Sequence, residues 1–374
     1  MKVVIPMGLL RKKHGGFAWL FFLSVAVVPT LLWALTLGPA GMSAKETFLV
    51  LWGGLLNTLS SLLAFSPDLS WALGHKGAAL VNSFPESYAA IIFKVRLPRV
   101  ILGGLVGMSL AVTGGCFQGL FKNPMADPYV IGVSSGASLG AALAIVFSWK
   151  LYLFGANWAV IILAFAGALL TVYTVYNIAR VGSRIPVSAL LLAGVAVASF
   201  LTAMVSFLVL LGSDTMHGIM FWIMGSLAGS SWPLVVMMLP FAFFGTAVII
   251  THARSLNAIL LGEEQAQHLG IDVEHVKRML FAASSLVVAA AVAVSGVIGF
   301  VGLIVPHAVR LLVGPDHKLL LPASGIAGGL FLIICDALSR VVMAPAEIPV
   351  GIITAVAGAP FFVYLLRKRK RDFF

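Results

Sequence analysis

Apolar runs of about 20 residues recur along almost the whole chain, separated by short polar stretches rich in Gly and Pro. Wound as a helix at about 1.5 Å per residue, a run of that length crosses a hydrocarbon core of about 30 Å. Ten such spans are predicted, at 17–37, 98–120, 129–148, 157–178, 187–211, 232–250, 279–297, 299–313, 320–342 and 349–366. The segment FLVLWGGLLNTLSSLLAF at 48–65 competes as an eleventh. Its Phe48, Trp52, Leu55, Leu59 and Leu62 recur at helical spacing, while Asn57, Ser60 and Ser61 group on another face, the pattern of a helix lying at an interface. The periodicity therefore predicts an all-α polytopic membrane protein of ten transmembrane helices. It forms a single membrane domain over 1–374, with an extracytoplasmic segment at 39–95 and a cytoplasmic loop at 251–278.

Charge settles the choice between ten and eleven. Lys2, Arg11, Lys12 and Lys13 precede the first span, and RKRKR at 367–371 follows the last. An even number of spans puts both clusters on one side, and the positive-inside rule makes that side cytoplasmic. The loop residues Lys122, Arg180, Arg184, Arg254, Lys277, Arg278, Arg310 and Lys318 then also lie inside; Lys45, Lys76, Lys94, Arg96, Arg99, Lys150 and Arg340 lie outside. Composition agrees: 60% of the 374 residues are hydrophobic and 10% charged. The net charge of +11 would point to nucleic acid in a soluble protein, but here it sits at span ends. The first apolar run, Phe17 to Leu37, exceeds the roughly 7–15 residues of a signal-peptide core, so an uncleaved span is expected. Cys116 and Cys335 fall inside spans and read as small core residues.

The polar interruptions carry the candidate chemistry. In FKNPMADPYVIGVSSGASLGAA, 121–142, Pro124 and Pro128 remove backbone donors and bias Asn123 and Asp127 away from helical geometry, so the chain turns there. Such a turn must be cytoplasmic or buried in protein. Ser134, Ser135 and Ser138 then either line a solute path or bond across helices. Glycines four apart (Gly103 and Gly107, Gly115 and Gly119, Gly132, Gly136 and Gly140, Gly225 and Gly229, Gly325 and Gly329) let membrane helices approach closely. KVRLPR at 94–99 is a basic cluster outside, able to anchor at the interface or to dock an acidic partner. Asp336, four residues before Arg340, is placed to pair with it. LGEEQAQHLGI, 261–271, is an acidic, amphipathic loop between spans. No G-x-x-x-x-G-K-[ST] occurs, and the eight histidines show no metal-site spacing, so nucleotide hydrolysis would have to come from a partner.

RLPR at 96–99, GLFKNPMADPYVIGVSSGASLGA at 119–141, FWIMGSLAGSSW at 221–232, LGEEQAQHLG at 261–270 and the long stretch 294–368 together resemble the FecCD-type permease subunits of bacterial ABC importers. The resemblance covers about 93–367. It implies a homodimer of ten-span subunits in the cytoplasmic (inner) membrane, with two cytoplasmic ATPase subunits, an extracytoplasmic solute-binding protein and the lipid bilayer as partners. ATP and Mg²⁺ are used by the ATPase, and no cofactor is bound by this chain. Arg96, Arg99 and Arg340 match arginines that receive acids of the binding protein. Glu263, Glu264, Gln265, Ala266, Leu269 and Gly270 match the loop that docks in the ATPase. The fifth span corresponds to the helix lining the path, where Ser199, Thr202 and Ser206 are the polar positions. The implied cargo is an iron chelate, siderophore or haem, with cobalamin or another corrinoid as the alternative. An ion-coupled secondary transporter is the rival class; it would use buried acids near the midplane, for which Asp336 is the candidate.

Overall fold

The computed structural model describes residues 8–38, 41–63, 67–148, 152–153, 156–182 and 186–368. Lys2, Lys150, Arg184 and positions 369–371 of the basic tail, used above for orientation, lie outside the described residues. The helices are α1 Gly8–Thr36, α2 Ala44–Leu62, α3 Pro67–Asn82, α4 Glu86–Leu120, α5 Val133–Val146, α6 Trp158–Ala179, α7 Val187–Leu211, α8 Met216–Ile223 and α9 Trp232–Thr251. They continue with α10 Ala253–Leu261, α11 Glu263–His268, α12 Val273–Ser295, α13 Val301–Val313, α14 His317–Ser339 and α15 Val350–Lys368. Among the described residues, α1, α4, α6, α7, α9, α12 and α14 contain segments long and apolar enough to cross a membrane. The shorter apolar helices α5, α13 and α15 fall on the remaining predicted spans.

Helices α5 and α13 have 14 and 13 residues and reach only about 20 Å. Each is entered through non-helical backbone. A 3₁₀ turn, Pro128–Ile131, precedes α5 and ends at Gly132, whose φ of 82° favours glycine. Residues 296–300 precede α13. The two irregular stretches meet where the Tyr129 hydroxyl donates to the Ile298 carbonyl at 3.0 Å. Protein rather than lipid therefore surrounds this backbone, as burial in hydrocarbon demands. Asp127 caps the turn by accepting from the Tyr129 amide at 2.7 Å, and Asn123 accepts from the Met125 amide at 2.9 Å. The Asn-Pro and Asp-Pro pairs thus act as side-chain acceptors in a tight turn.

The centre of the bundle is the antiparallel pair α4 and α14. Gly107 faces the Gly328 carbonyl, Gly115 faces Leu321, and Gly119 faces His317, a register held along the C-terminal half of α4. Gly136 and Gly140 bring α5 equally close to Gly167 and Leu163 of α6, and Gly194 of α7 abuts Val130. The glycine spacing is thus used for helix packing at these positions. Gly229 differs, with no neighbour within 4 Å of an added Cβ. Leu102, Val106, Leu110 and Phe117 of α4 are fully or almost fully buried beside the glycines.

One expectation is corrected and one is given further structure. The second span does not begin at KVRLPR: α4 starts at Glu86 and runs through it, a π turn at Ile91–Arg96 placed just before Pro98. That wider turn, in which the Leu97 amide bonds to Ile92, accommodates the donor that the proline lacks. The reading of 48–65 is extended: the segment forms the first arm of a hairpin. Ser60 and Ser70 exchange hydroxyl to carbonyl bonds of 2.8 and 2.9 Å between α2 and α3, and Gly53 lies against Gly77. A capping box starts α2: the Glu46 amide donates to Ser43 Oγ, and the Ser43 amide donates to the Glu46 carboxylate at 2.7 Å. Those bonds hold the Glu46 carboxyl below its ordinary range.

Gly107→Val would press a branched side chain into the Gly328 backbone, and overpacking of this kind typically costs about 1–3 kcal/mol. The expected outcome is a lower midpoint in heating of the detergent-solubilised protein, read by monodisperse elution, whereas Gly229→Ala leaves the midpoint in place.

Candidate functional site

The chemistry-bearing residues gather at two levels of the bundle, one at Arg99 within α4 and one beyond its C-terminal end. Arg99 and Gly119, twenty residues apart on that helix, are separated by roughly 30 Å, about one hydrocarbon thickness. At the Arg99 end, Asp336 of α14 lies between two guanidinium groups. Its Oδ1 is 2.9 Å from Arg99 Nε and its Oδ2 is 3.3 Å from Arg340 Nε. Arg99 Nη1 also pairs with Glu347 Oε2 at 2.8 Å. Asp336 is 1% exposed and Arg99, Arg340 and Arg96 only 4–5%, so these charges are inside the protein. Glu347 is the member of the group that reaches solvent.

The end of α1 completes the cluster. Arg340 donates to the carbonyls of Ala34 and Leu37, both at 3.0 Å. Arg96 donates to those of Leu35 at 2.6 Å and Thr36 at 3.3 Å. The last carbonyls of a helix have no partners of their own and carry partial negative charge, so two arginines there satisfy both needs. Arg96 Nη2 has no hydrogen-bond partner among the described residues. The sequence places these arginines outside with their groups open to a partner; the structure instead buries them on the carbonyls of α1 and on two acids. Pairing of Asp336 with Arg340 was legible from their four-residue spacing. Glu347 was not, because it is distant from Arg99 in sequence and lies in an irregular segment beyond α14.

At the other end, α10, α11 and the start of α12 form a compact step. Gly262, with φ 137°, breaks the chain between α10 and α11. Lys277 of α12 is buried and binds Glu263 at 2.7 Å and Glu274 at 3.2 Å, tying α11 to α12. The predicted loop residues divide accordingly. Glu264, Gln265, Leu269 and Gly270 are exposed, Glu263 is engaged with Lys277, and Ala266 is fully buried and packs inward. Leu261 and Leu269 are 72% and 67% exposed, the marks of a contact surface that acidity alone did not flag. Asn257 links this step to α14, donating to Asp316 Oδ1 at 2.7 Å and accepting from the His317 amide at 3.0 Å.

Between the ends, α7 presents an open face. Ser199, Thr202 and Ser206 are exposed, and each hydroxyl bonds to a carbonyl four residues back, at 2.9, 2.8 and 3.0 Å. They form a stripe on the side away from Val205 and Leu208, which pack with Ala142 of α5. Ser134 and Ser135 are half-buried in the first turn of α5, where the Ser134 carbonyl accepts from Ser138 at 2.8 Å. Satisfied hydroxyls make a surface that a solute can slide past without strong bonding. No group of three or more His, Cys, Asp or Glu residues able to hold a metal ion occurs among the described residues.

Comparison with known proteins agrees with this architecture. The model of the FecCD transport family matches residues 26–368. A cobalamin import system permease protein of Halobacterium salinarum is 45% identical, with 94% of this chain and 96% of that protein covered. A hemin transport system permease protein of Yersinia pestis is 39% identical over 85% of this chain and 96% of its own length. Among solved structures, a metal-chelate type ABC transporter in an inward-facing conformation superposes with a TM-score of 0.76 at 29% identity, covering 93% of this chain and 98% of that one. The chain is a multi-pass membrane permease and belongs to the FecCD transport family.

Proposed function

We propose that the chain works as a homodimeric permease subunit of an ATP-driven importer, carrying a bulky metal chelate across the cytoplasmic membrane by alternating access. The reading rests above all on one arrangement: an apolar, acid-edged step beyond the C-terminal end of α4 and an arginine cluster at the level of Arg99, with the open stripe of α7 between. In this reading α11 seats in a cytoplasmic ATPase, which supplies the nucleotide and Mg²⁺ chemistry that a chain without a P-loop lacks. Lys277 passes displacement of α11 to α12. Hydrolysis shifts the population between outward- and inward-facing states through contacts that differ between them. Ten crossings, with both termini cytoplasmic, place the arginine end outside. There the binding protein's acids compete with the exposed Glu347 for Arg99, beside the buried Arg96, whose Nη2 has no partner among the described residues. The H. salinarum relative, at 45% identity, supports a corrinoid cargo ahead of an iron chelate. The pairing of Asp336 with two fixed arginines disfavours an ion-coupled transporter, because the site's charge is already met by side chains rather than by a carried cation.

Uptake into proteoliposomes holding the chain and its ATPase is expected to require ATP and to stop with vanadate; uptake that runs without ATP and collapses with the proton gradient would refute the importer. Leu269→Asp, on an exposed position, is expected to lower ATPase co-purification and uptake about tenfold or more, the effect of about 1.4 kcal/mol, with normal membrane levels. Normal uptake in this variant would remove α11 from the coupling surface. Arg96→Gln, which removes the charge without setting an acid against the Leu35 and Thr36 carbonyls, is the docking variant, since Arg99→Glu would strand Asp336 without its partner, a loss worth about 3–5 kcal/mol of stability. Its expected result is a Kd for the binding protein raised about tenfold with ATPase assembly intact, measured by surface plasmon resonance on nanodiscs.

A further inference from the structure

The hairpin of α2 and α3 lies outside the importer machinery just described, yet its surface is the least water-compatible part of the arginine end. Phe48, Trp52, Leu55, Leu59 and Leu62 project from one face of α2 with exposures between 37% and 70%. From first to last they span about 20 Å of helix. Trp71 of α3 is 72% exposed and stacks on His75 at 5.3 Å. A different face of α2 closes the hairpin through Gly53 and Ser60, while Thr47 and Val50 are buried toward the bundle. A contiguous apolar stripe of this size on a well-capped helix has a dedicated partner.

The position of the stripe identifies that partner. Phe48, Thr47 and Ala44 share a recess with Leu32, Trp33 and Thr36, which belong to the last turns of α1. Helix α1 is long and apolar enough to cross a membrane; one side, with Leu20, Leu23, Ala34 and Leu35, packs on the bundle, while Phe17, Phe21, Phe22, Val25, Val28 and Trp33 face outward. The apolar stripe of α2 therefore continues a lipid-facing surface at the level where α1 leaves the hydrocarbon. Trp33, Trp52 and Trp71 supply the amphipathic rings favoured at a membrane boundary. Polar positions of the hairpin, among them Asn57, Thr58, Ser61 and Lys76, lie off the stripe.

We infer that the α2 and α3 hairpin is an interfacial element seated in the headgroup and upper acyl region of the outer leaflet, its Phe48 to Leu62 face against lipid. It belongs to the class of in-plane amphipathic helices whose binding scales with buried apolar area. Seated there, it braces the end of α1 on which Arg96 and Arg340 close, through Leu51, which packs against the buried cluster that holds Ala34 and Leu35 of α1.

Spin labels on single cysteines replacing Phe48, Trp52, Leu55 or Leu59 test this in the full-length chain reconstituted into phosphatidylcholine and phosphatidylglycerol vesicles; Cys116 and Cys335 are buried and can stay. The expected result is several-fold greater relaxation by oxygen than by an aqueous nickel chelate at these positions, and the reverse at Thr58 and Lys76. Nickel dominance at Phe48 and Trp52 would overturn the inference, as would protection of them that needs the solute-binding protein, which would make the stripe a protein contact. Brominated-lipid quenching of wild type against Trp52→Phe gives an independent reading: loss of a quenched component in the variant supports the seat in lipid, and identical quenching refutes it. None of these outcomes depends on transport, so the inference stands or falls apart from the importer reading.

Discussion

The carboxylate of Asp336, held between Arg99 and Arg340, is the constraint on which one end of the molecule depends. Three charges removed from water repay their desolvation only with close geometry and with every remaining donor engaged. The protein meets this by recruiting the carbonyls at the end of α1 and the carboxylate of Glu347. One small cluster thereby fixes four separated pieces of chain: α1, α4, α14 and the segment entering α15. Hydrophobic burial cannot fix them so specifically, since lipid is as apolar as the helix faces it would replace.

A second principle operates along the helices. The membrane supplies no hydrophobic drive for helix association, so contact must come from closeness, and glycine supplies it. Backbones touch at Gly107 and Gly328, and at Gly136 and Gly167. Where the chain leaves the helix, at Pro128–Ile131 and 296–300, the two exceptions serve one another through Tyr129 and Ile298. The same rule thus governs helix and turn: polar backbone is covered by other protein or is already bonded.

Much of this was legible in the sequence. Span positions follow from hydropathy, the turn at 121–132 from its prolines, and the packing helices from glycine spacing. The family resemblance carried by the same motifs is matched by the family's own model. What was hidden is informative. Helix α4 begins at Glu86 and not at Leu97 or Pro98, because a π turn lets the helix absorb a proline that local rules read as a start. The arginines read as exposed because burial of a charge depends on partners, and Glu347 and the carbonyls of Ala34 and Leu37 are far away in sequence. Ala266 fell among the contact residues because a six-residue helix has an inner side that a linear motif does not mark.

The locked register of α4 against α14 has a mechanical meaning. Helices whose backbones meet at Gly107 and Gly328, with Leu321 and His317 filling the space over Gly115 and Gly119 and Arg99 tied to Asp336, slide or unscrew only by breaking these levels together. That pair is the stiff beam of the protein. A load applied to either helix of the pair is therefore shared by the other.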